Sequence, residues 1–199
     1  EYALSEMSNN PEFEMSARNR WVKWYLEFAQ QHGGKDWREW QDYRHLEDEW
    51  DNLSNVMEWC IASNYYHHAC NLWQNIKCYT YSFAYSQNRL NCWDVPLLWL
   101  EWLSEAAVSR RDFATAAQMI GERAWKLTLI GQEQQLALAD NLYNQAWQLH
   151  QHLTLDMQAD LAIHIGVWHI QKQQFLQAAD WLERGKKLLE NPGNLHIDS

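Results

Sequence analysis

From Tyr43 to Ala69 the chain reads YRHLEDEWDNLSNVMEWCIASNYYHHA, and Leu46, Trp50, Leu53, Met57, Cys60 and Ile61 recur at steps of four, three, four, three and one. Such steps put side chains on one side of an α-helix, so these six predict a single continuous amphipathic helix whose stripe must bury against another. Ala62, Ser63 and Asn64 leave room only for an antiparallel return, and Tyr66 and Ala69 then open a second helix. The predicted unit is a helical hairpin.

The same periodicity extends along the chain. Residues 1–14 are polar and read as a flexible lead-in. A helix is predicted from Met15 to Gln31, with Trp21, Trp24, Tyr25 and Phe28 on one face, ended by a left-handed residue at Gly33 or Gly34. Asp36 caps a short helix carrying Trp37, Trp40 and Tyr43, and Trp37 and Trp40 are the aromatics expected to be partly exposed. Tyr79, Tyr81, Phe83 and Tyr85 alternate with smaller residues as in a strand, but nothing nearby can pair with one, so the segment reads as the end of the helix from Tyr66. After a loop at 88–92, Asp94 caps a helix to about Ser109, with Pro96 in its first turn and Leu98, Trp99, Trp102, Leu103 and Ala106 on its buried face. Asp112 caps the next, which stops at Gly131. Another spans about Gln134 to His150 with Leu138, Leu142, Ala146 and Leu149 in register, Thr154 caps one ending near Gln171, and the last runs from Gln174 to Glu190. The prediction is an all-α chain of about eight long helices over residues 15–190, followed by a disordered tail at 191–199.

Composition agrees with long helices. Only 7 Gly and 3 Pro occur in 199 residues, and 47% of residues are hydrophobic, enough for a core in one domain or one array. Sixteen basic against 26 acidic residues give a net charge of -10, which disfavours nucleic acid and anionic membrane as partners and favours a basic protein segment. The 14 Trp fall mostly inside helical patterns, where their role is packing. Cysteines at 60, 70, 78 and 92 have no paired spacing, and with no signal peptide in view they read as reduced thiols of a cytoplasmic protein. No apolar run reaches membrane-spanning length. The first residue is Glu, which reads as a piece of a longer protein or a processed product.

A spacing recurs three times: Met57, Tyr66, Ala69; Ser104, Phe113, Ala116; and Gly166, Phe175, Ala178. A small or slim residue on one helix is followed nine residues later by an aromatic and twelve later by Ala, which suits two antiparallel helices in close approach with an aromatic locking their angle. Ala124 and Ala139 form a looser copy, with three extra residues assigned to the loop. This pattern resembles the tetratricopeptide repeat, best at 166–192, GVWHIQKQQFLQAADWLERGKKLLENP. Gly185 stands where that family has Ala, Met57 is large for its place, and intervals of 47 and 62 residues depart from a regular period. The resemblance implies antiparallel hairpins stacked as a tetratricopeptide-like, right-handed superhelical array.

A second resemblance rests on Glu49-Trp-Asp-Asn52-Leu53, Met57-Glu-Trp59 and Trp99-Leu-Glu-Trp102-Leu103. Together they are similar to the helical-repeat region that follows the nucleotide-binding core of bacterial STAND signalling ATPases, relatives of the NB-ARC and AP-ATPase proteins. That family implies a non-catalytic sensor or scaffold region that binds a protein, peptide or ligand and restrains an ATPase domain attached in cis. Alternatives are a small-molecule receptor with an aromatic-walled pocket and a free-standing tetratricopeptide-like scaffold. Gly33-Gly34-Lys35 lacks the preceding strand, the earlier Gly and the following Ser or Thr of a phosphate loop.

No catalytic, cofactor or metal site is predicted. His67 and His68 point about 100° apart on a helix and, with Cys60, Cys70 and Cys78, lack metal-ligand spacing. His150 with His152 and His164 with His169 are no better placed, so surface or capping roles are expected. Glu47, Asp48, Glu49 and Asp51 read as a solvated face. In a stack of hairpins the first helix of each pair lines a groove, and the shared spacing puts Asp51, Ser54 and Glu58, then Leu98, Glu101 and Glu105, then Asp160, Ile163 and Val167 along it. The expected groove is acidic with apolar patches and suits a basic, partly hydrophobic segment.

Overall fold

The computed structural model describes residues 11–34, 42–86 and 93–190; Trp37, Trp40, the Asp36 helix, the 88–92 loop and the tail at 191–199 lie outside them, as do the side chains of 83–86. Among the described residues all regular structure is helical. The helices are α1 Pro11–His32, α2 Arg44–Asp48, α3 Trp50–Ala62, α4 Tyr66–Ser86, α5 Asp94–Ser109, α6 Phe113–Ile130, α7 Glu133–Gln148, α8 Leu155–Gln171 and α9 Phe175–Glu190, with a 3-10 turn at His150–His152. The chain divides into two compact units, Glu1–Asn91 and Cys92–Ser199.

In the first unit α1 lies along α4, and α3 and α4 form the hairpin read from the periodicity. α1 starts at Pro11, inside the expected lead-in, because Pro suits a first helical position and Glu12 and Glu14 suit the positive end of the helix. Its end differs in cause from the expectation. Gly33 does not take a left-handed φ; its N–H continues the helix to the Ala29 carbonyl at 2.8 Å, and a Cβ there would collide with the Asn75 carbonyl of α4. Glycine is needed for close approach. The expected single helix over 43–62 is broken at Glu49, where φ is -106° and ψ 12°, so Leu46 belongs to α2 while Leu53, Val56, Met57 and Cys60 belong to α3; all five are buried.

In the second unit α5 and α6, α6 and α7, and α8 and α9 form successive hairpins, and α6 also packs on α8. α7 meets α8 through Trp168, whose ring lies 6.2 Å from that of Tyr143 and whose Nε1 donates to Leu136 O at 2.9 Å, and the 3-10 turn carries the chain between them. A shared core joins Ala117, Ile120, Ala124 and Leu127 of α6 to Ala139, Leu142 and Tyr143 of α7 and to Leu161, Ile165 and Trp168 of α8. Asp112 caps α6 by accepting from Thr115 N at 3.2 Å, and Thr154 caps α8 by accepting from Met157 N at 3.4 Å. Asp94 is the first residue of α5 rather than its cap, which is Trp93 with no side-chain capping bond. Leu98, expected on the buried face of α5, is 64% exposed, and Leu138 of α7 is 42% exposed.

The thrice-repeated spacing has one backbone form. Seven residues after Met57, Ser104 and Gly166 stand Asn64, Arg111 and Gln173, with φ of 57°, 58° and 59°. Each turn carries the same pair of bonds: Asn64 N to Ile61 O at 3.1 Å with Tyr65 N to Cys60 O at 2.7 Å; Arg111 N to Val108 O at 3.0 Å with Asp112 N to Ala107 O at 3.0 Å; Gln173 N to Ile170 O at 2.9 Å with Gln174 N to His169 O at 2.9 Å. This is the Schellman closure of a helix, used identically in all three hairpins. Ala69, Ala116 and Ala178 are buried as the spacing requires, and so is Tyr66, but Phe175 is 66% exposed and locks nothing in the third copy. At Ala124 and Ala139 the turn is a two-residue link through Gly131, φ 73°, whose N–H reaches Leu127 O at 3.2 Å. The three extra residues therefore lengthen the start of α7 and are not in the loop.

Candidate interaction surfaces

Glu49, expected on a solvated face, is a junction. Tyr25 Oη of α1 donates to its Oε2 at 2.6 Å, and Asn52 Nδ2 of α3 donates to the same oxygen at 2.7 Å. The Glu-x-x-Asn pair thus ties α1 to the start of α3 at the break in the backbone. Tyr25 is buried, and burial with the adjacent carboxylate pushes its phenol up to about 12, while the donated bonds hold Glu49 below the usual carboxylate range. An aromatic ladder runs along α1 and onto α2: Trp24 stacks on Phe28 at 5.3 Å, Phe28 meets His32 at 4.7 Å, and His32 meets His45 of α2 at 4.5 Å. Trp24 is half exposed.

The nine expected groove residues divide between the units. Asp51 and Glu58 of α3 are exposed and Ser54 is half-buried; Leu98 and Glu105 of α5 are exposed and Glu101 is half-buried; Asp160, Ile163 and Val167 of α8 are half-buried. Glu101 and Ile163 have internal work. Glu101 pairs with Arg123 of α6 at 2.7 Å, which removes part of the expected negative charge. Ile163 faces α9, where its Cγ1 would lie 2.9 Å from a Cβ at Gly185.

Cations laid on indole rings are the feature that reading by apolar stripes missed. Arg18 lies 4.6 Å from Trp59 and 5.5 Å from Trp21, Lys126 lies 5.1 Å from Trp93, Lys172 4.8 Å from Trp168, and Arg184 5.2 Å from Trp147 and 4.8 Å from Trp181. The available signal was Arg18 three before Trp21 and Arg184 three after Trp181, a helical spacing that stacks neighbours. Tryptophan here packs against charge as well as apolar side chains, and Trp73, Trp93, Trp99 and Trp168 are buried.

No protein-family model, curated protein or solved structure matches this chain.

Several histidines lie against helix ends or neighbouring rings. His150 Nδ1 meets Trp147 O at 2.5 Å and His169 Nδ1 meets Gln174 Oε1 at 2.8 Å, both beside helix ends. His164 instead lies flat on Trp125, centroids 4.1 Å apart and rings 7° from parallel, and burial pushes its imidazole down to about 3, so it is neutral at physiological pH. Cys60 and Cys78 are buried reduced thiols, and burial pushes Cys60 up to about 12. Among the described residues no three His, Cys, Asp or Glu side chains are grouped to hold a metal ion, and no helix is long and apolar enough to cross a membrane.

Proposed function

We propose that this chain is a non-catalytic helical-hairpin region that binds a basic, partly hydrophobic protein segment, and that it serves as the sensor or interaction part of a cytoplasmic STAND-type ATPase. The observation that supports a repeat-built region is the identical Schellman turn at Asn64, Arg111 and Gln173, each closing a hairpin whose facing helix buries Ala at the same register. Repeated hairpins make surfaces for partners more readily than reaction centres, because each repeats packing rather than converging unlike groups. The acidic residues Glu58 and Glu105 remain exposed and unoccupied by the pairing that engages Glu101. Segment binding in turn biases how neighbouring hairpins pack, which is the restraint an attached switch domain would feel.

The test is binding of Lys- and Leu-containing peptides across a salt series, with and without the reversals E58K and E105K made separately. Affinity is expected to fall with salt in the unmodified protein and to weaken in at least one of the two variants. Binding indifferent to salt and to both reversals removes the proposal. The family part is tested separately by the coding sequence upstream of Glu1, where a phosphate-binding loop is expected.

A further inference from the structure

Trp147 at the end of α7 and Trp181 of α9 stand edge to face, rings at 85° and centroids 4.7 Å apart. Arg184, one turn after Trp181, puts its Cζ 5.2 Å from one centroid and 4.8 Å from the other. Two ring faces meeting near a right angle form a corner in which one cation meets the negative face of both walls. His150 stacks on Trp147 at 4.4 Å, 2° from parallel, and fixes that wall. Both indoles are half-buried, whereas Arg184 is exposed, and no carboxylate among the described residues pairs with it. Among the described residues its guanidinium is held by the rings alone, so it can swing into water without breaking an ion pair with any of them.

We infer that Trp147 and Trp181 form a cation-binding corner, occupied in the free protein by Arg184, which accepts the guanidinium or quaternary ammonium group of a partner when Arg184 moves out. The occupant follows from the chemistry of the walls and from the cation already in place. The net charge of -10 enriches cations near the surface in the same sense. This inference is independent of the acidic surface proposed above and stands if that surface binds nothing.

Tetramethylammonium chloride, compared with sodium chloride at equal ionic strength, is the probe, read by NMR of the indole N–H signals. R184A empties the corner, and R184Q empties it of charge while keeping most of the side-chain stem. Both are expected to bind tetramethylammonium about tenfold more tightly than the unmodified protein, with the Trp147 and Trp181 signals moving, and adding W181A to R184Q is expected to abolish the response. Equal responses of the unmodified, R184A and R184Q proteins overturn the inference, as does a response that survives loss of Trp181.

Discussion

At Asn64, Arg111 and Gln173 the backbone takes φ near +58°, where the Cβ of an L residue crowds the next carbonyl. Relieving that crowding is worth about 1–2 kcal/mol, and the extra freedom of glycine in the unfolded chain takes back about 0.5–1 kcal/mol. Arg111→Gly and Gln173→Gly are therefore expected to stabilise the protein by about 0.5–1 kcal/mol, and Asn64→Gly by less, since Asn tolerates this region. Urea midpoints at unchanged slope measure the order. These positions were illegible in the sequence because none of the three is glycine; only the spacing around them showed. A second residue-scale effect concerns pH. Glu49 is held below its usual range, so its share of stability is present above the ordinary carboxylate pKa and is lost as pH falls through the lowered value. Tyr25 is raised to about 12, so its share is present below about 10 and is lost as pH rises through about 12. Glu49→Gln keeps an acceptor without charge and is expected to bring the Tyr25 titration, followed by ¹³Cζ NMR, down from about 12 while leaving it above the ordinary value, since burial is the larger cause.

Between elements, glycine separates two kinds of contact. A Cβ at Gly33 meets the Asn75 carbonyl, which is part of the α4 backbone and cannot turn aside, whereas a Cβ at Gly166 comes 2.8 Å from Leu182 Cγ and Cδ2, atoms of a side chain that can rotate. Gly33→Ala is expected to cost about 2–3 kcal/mol by forcing α1 from α4. Gly166→Ala is expected to stay within about 1 kcal/mol, because the gain in helix propensity offsets the shift of Leu182. Thermal melts of the two variants decide it, and a larger loss at Gly166 would reverse the account. Helix positions were legible because stripes of three and four are a local signal: α4 runs through the alternating aromatics to Ser86, and Asp112, Thr154 and Gly131 act as caps and stop where they stand in the chain. What periodicity does not carry is direction between helices. It ran one helix through Glu49, where bonds from Tyr25 and Asn52 anchor a break, and it gave no sign that Ile163 comes against Gly185 of α9.

At the scale of the whole chain, the second unit contains a hydrophobic cluster drawn from α6, α7 and α8. α6 is its spine: Ala116 and Ala117, Gly121 and Ala124 present a small-residue surface, and a Cβ at Gly121 would come 3.2 Å from Leu161 of α8 and 3.9 Å from Ala146 of α7, so three helices meet at that point. Thr128 Oγ1 and Tyr143 Oη share a bond at 3.0 Å within the core, and Trp168 Nε1 donates to Leu136 O at 2.9 Å, which satisfies the polar atoms that burial would otherwise strand. A segment of this size with a hydrophobic cluster of its own is within the range that folds alone. Residues 93–190 expressed by themselves are therefore expected to give a helical circular-dichroism spectrum and a single cooperative melt. Gly121→Val in that fragment is expected to lower the melt steeply, since a branched side chain has no room where α6, α7 and α8 converge. A fragment that is helical yet melts without cooperativity would mean that the shared cluster of α6, α7 and α8 is not a core in its own right, and the division of the chain into two units would fail with it.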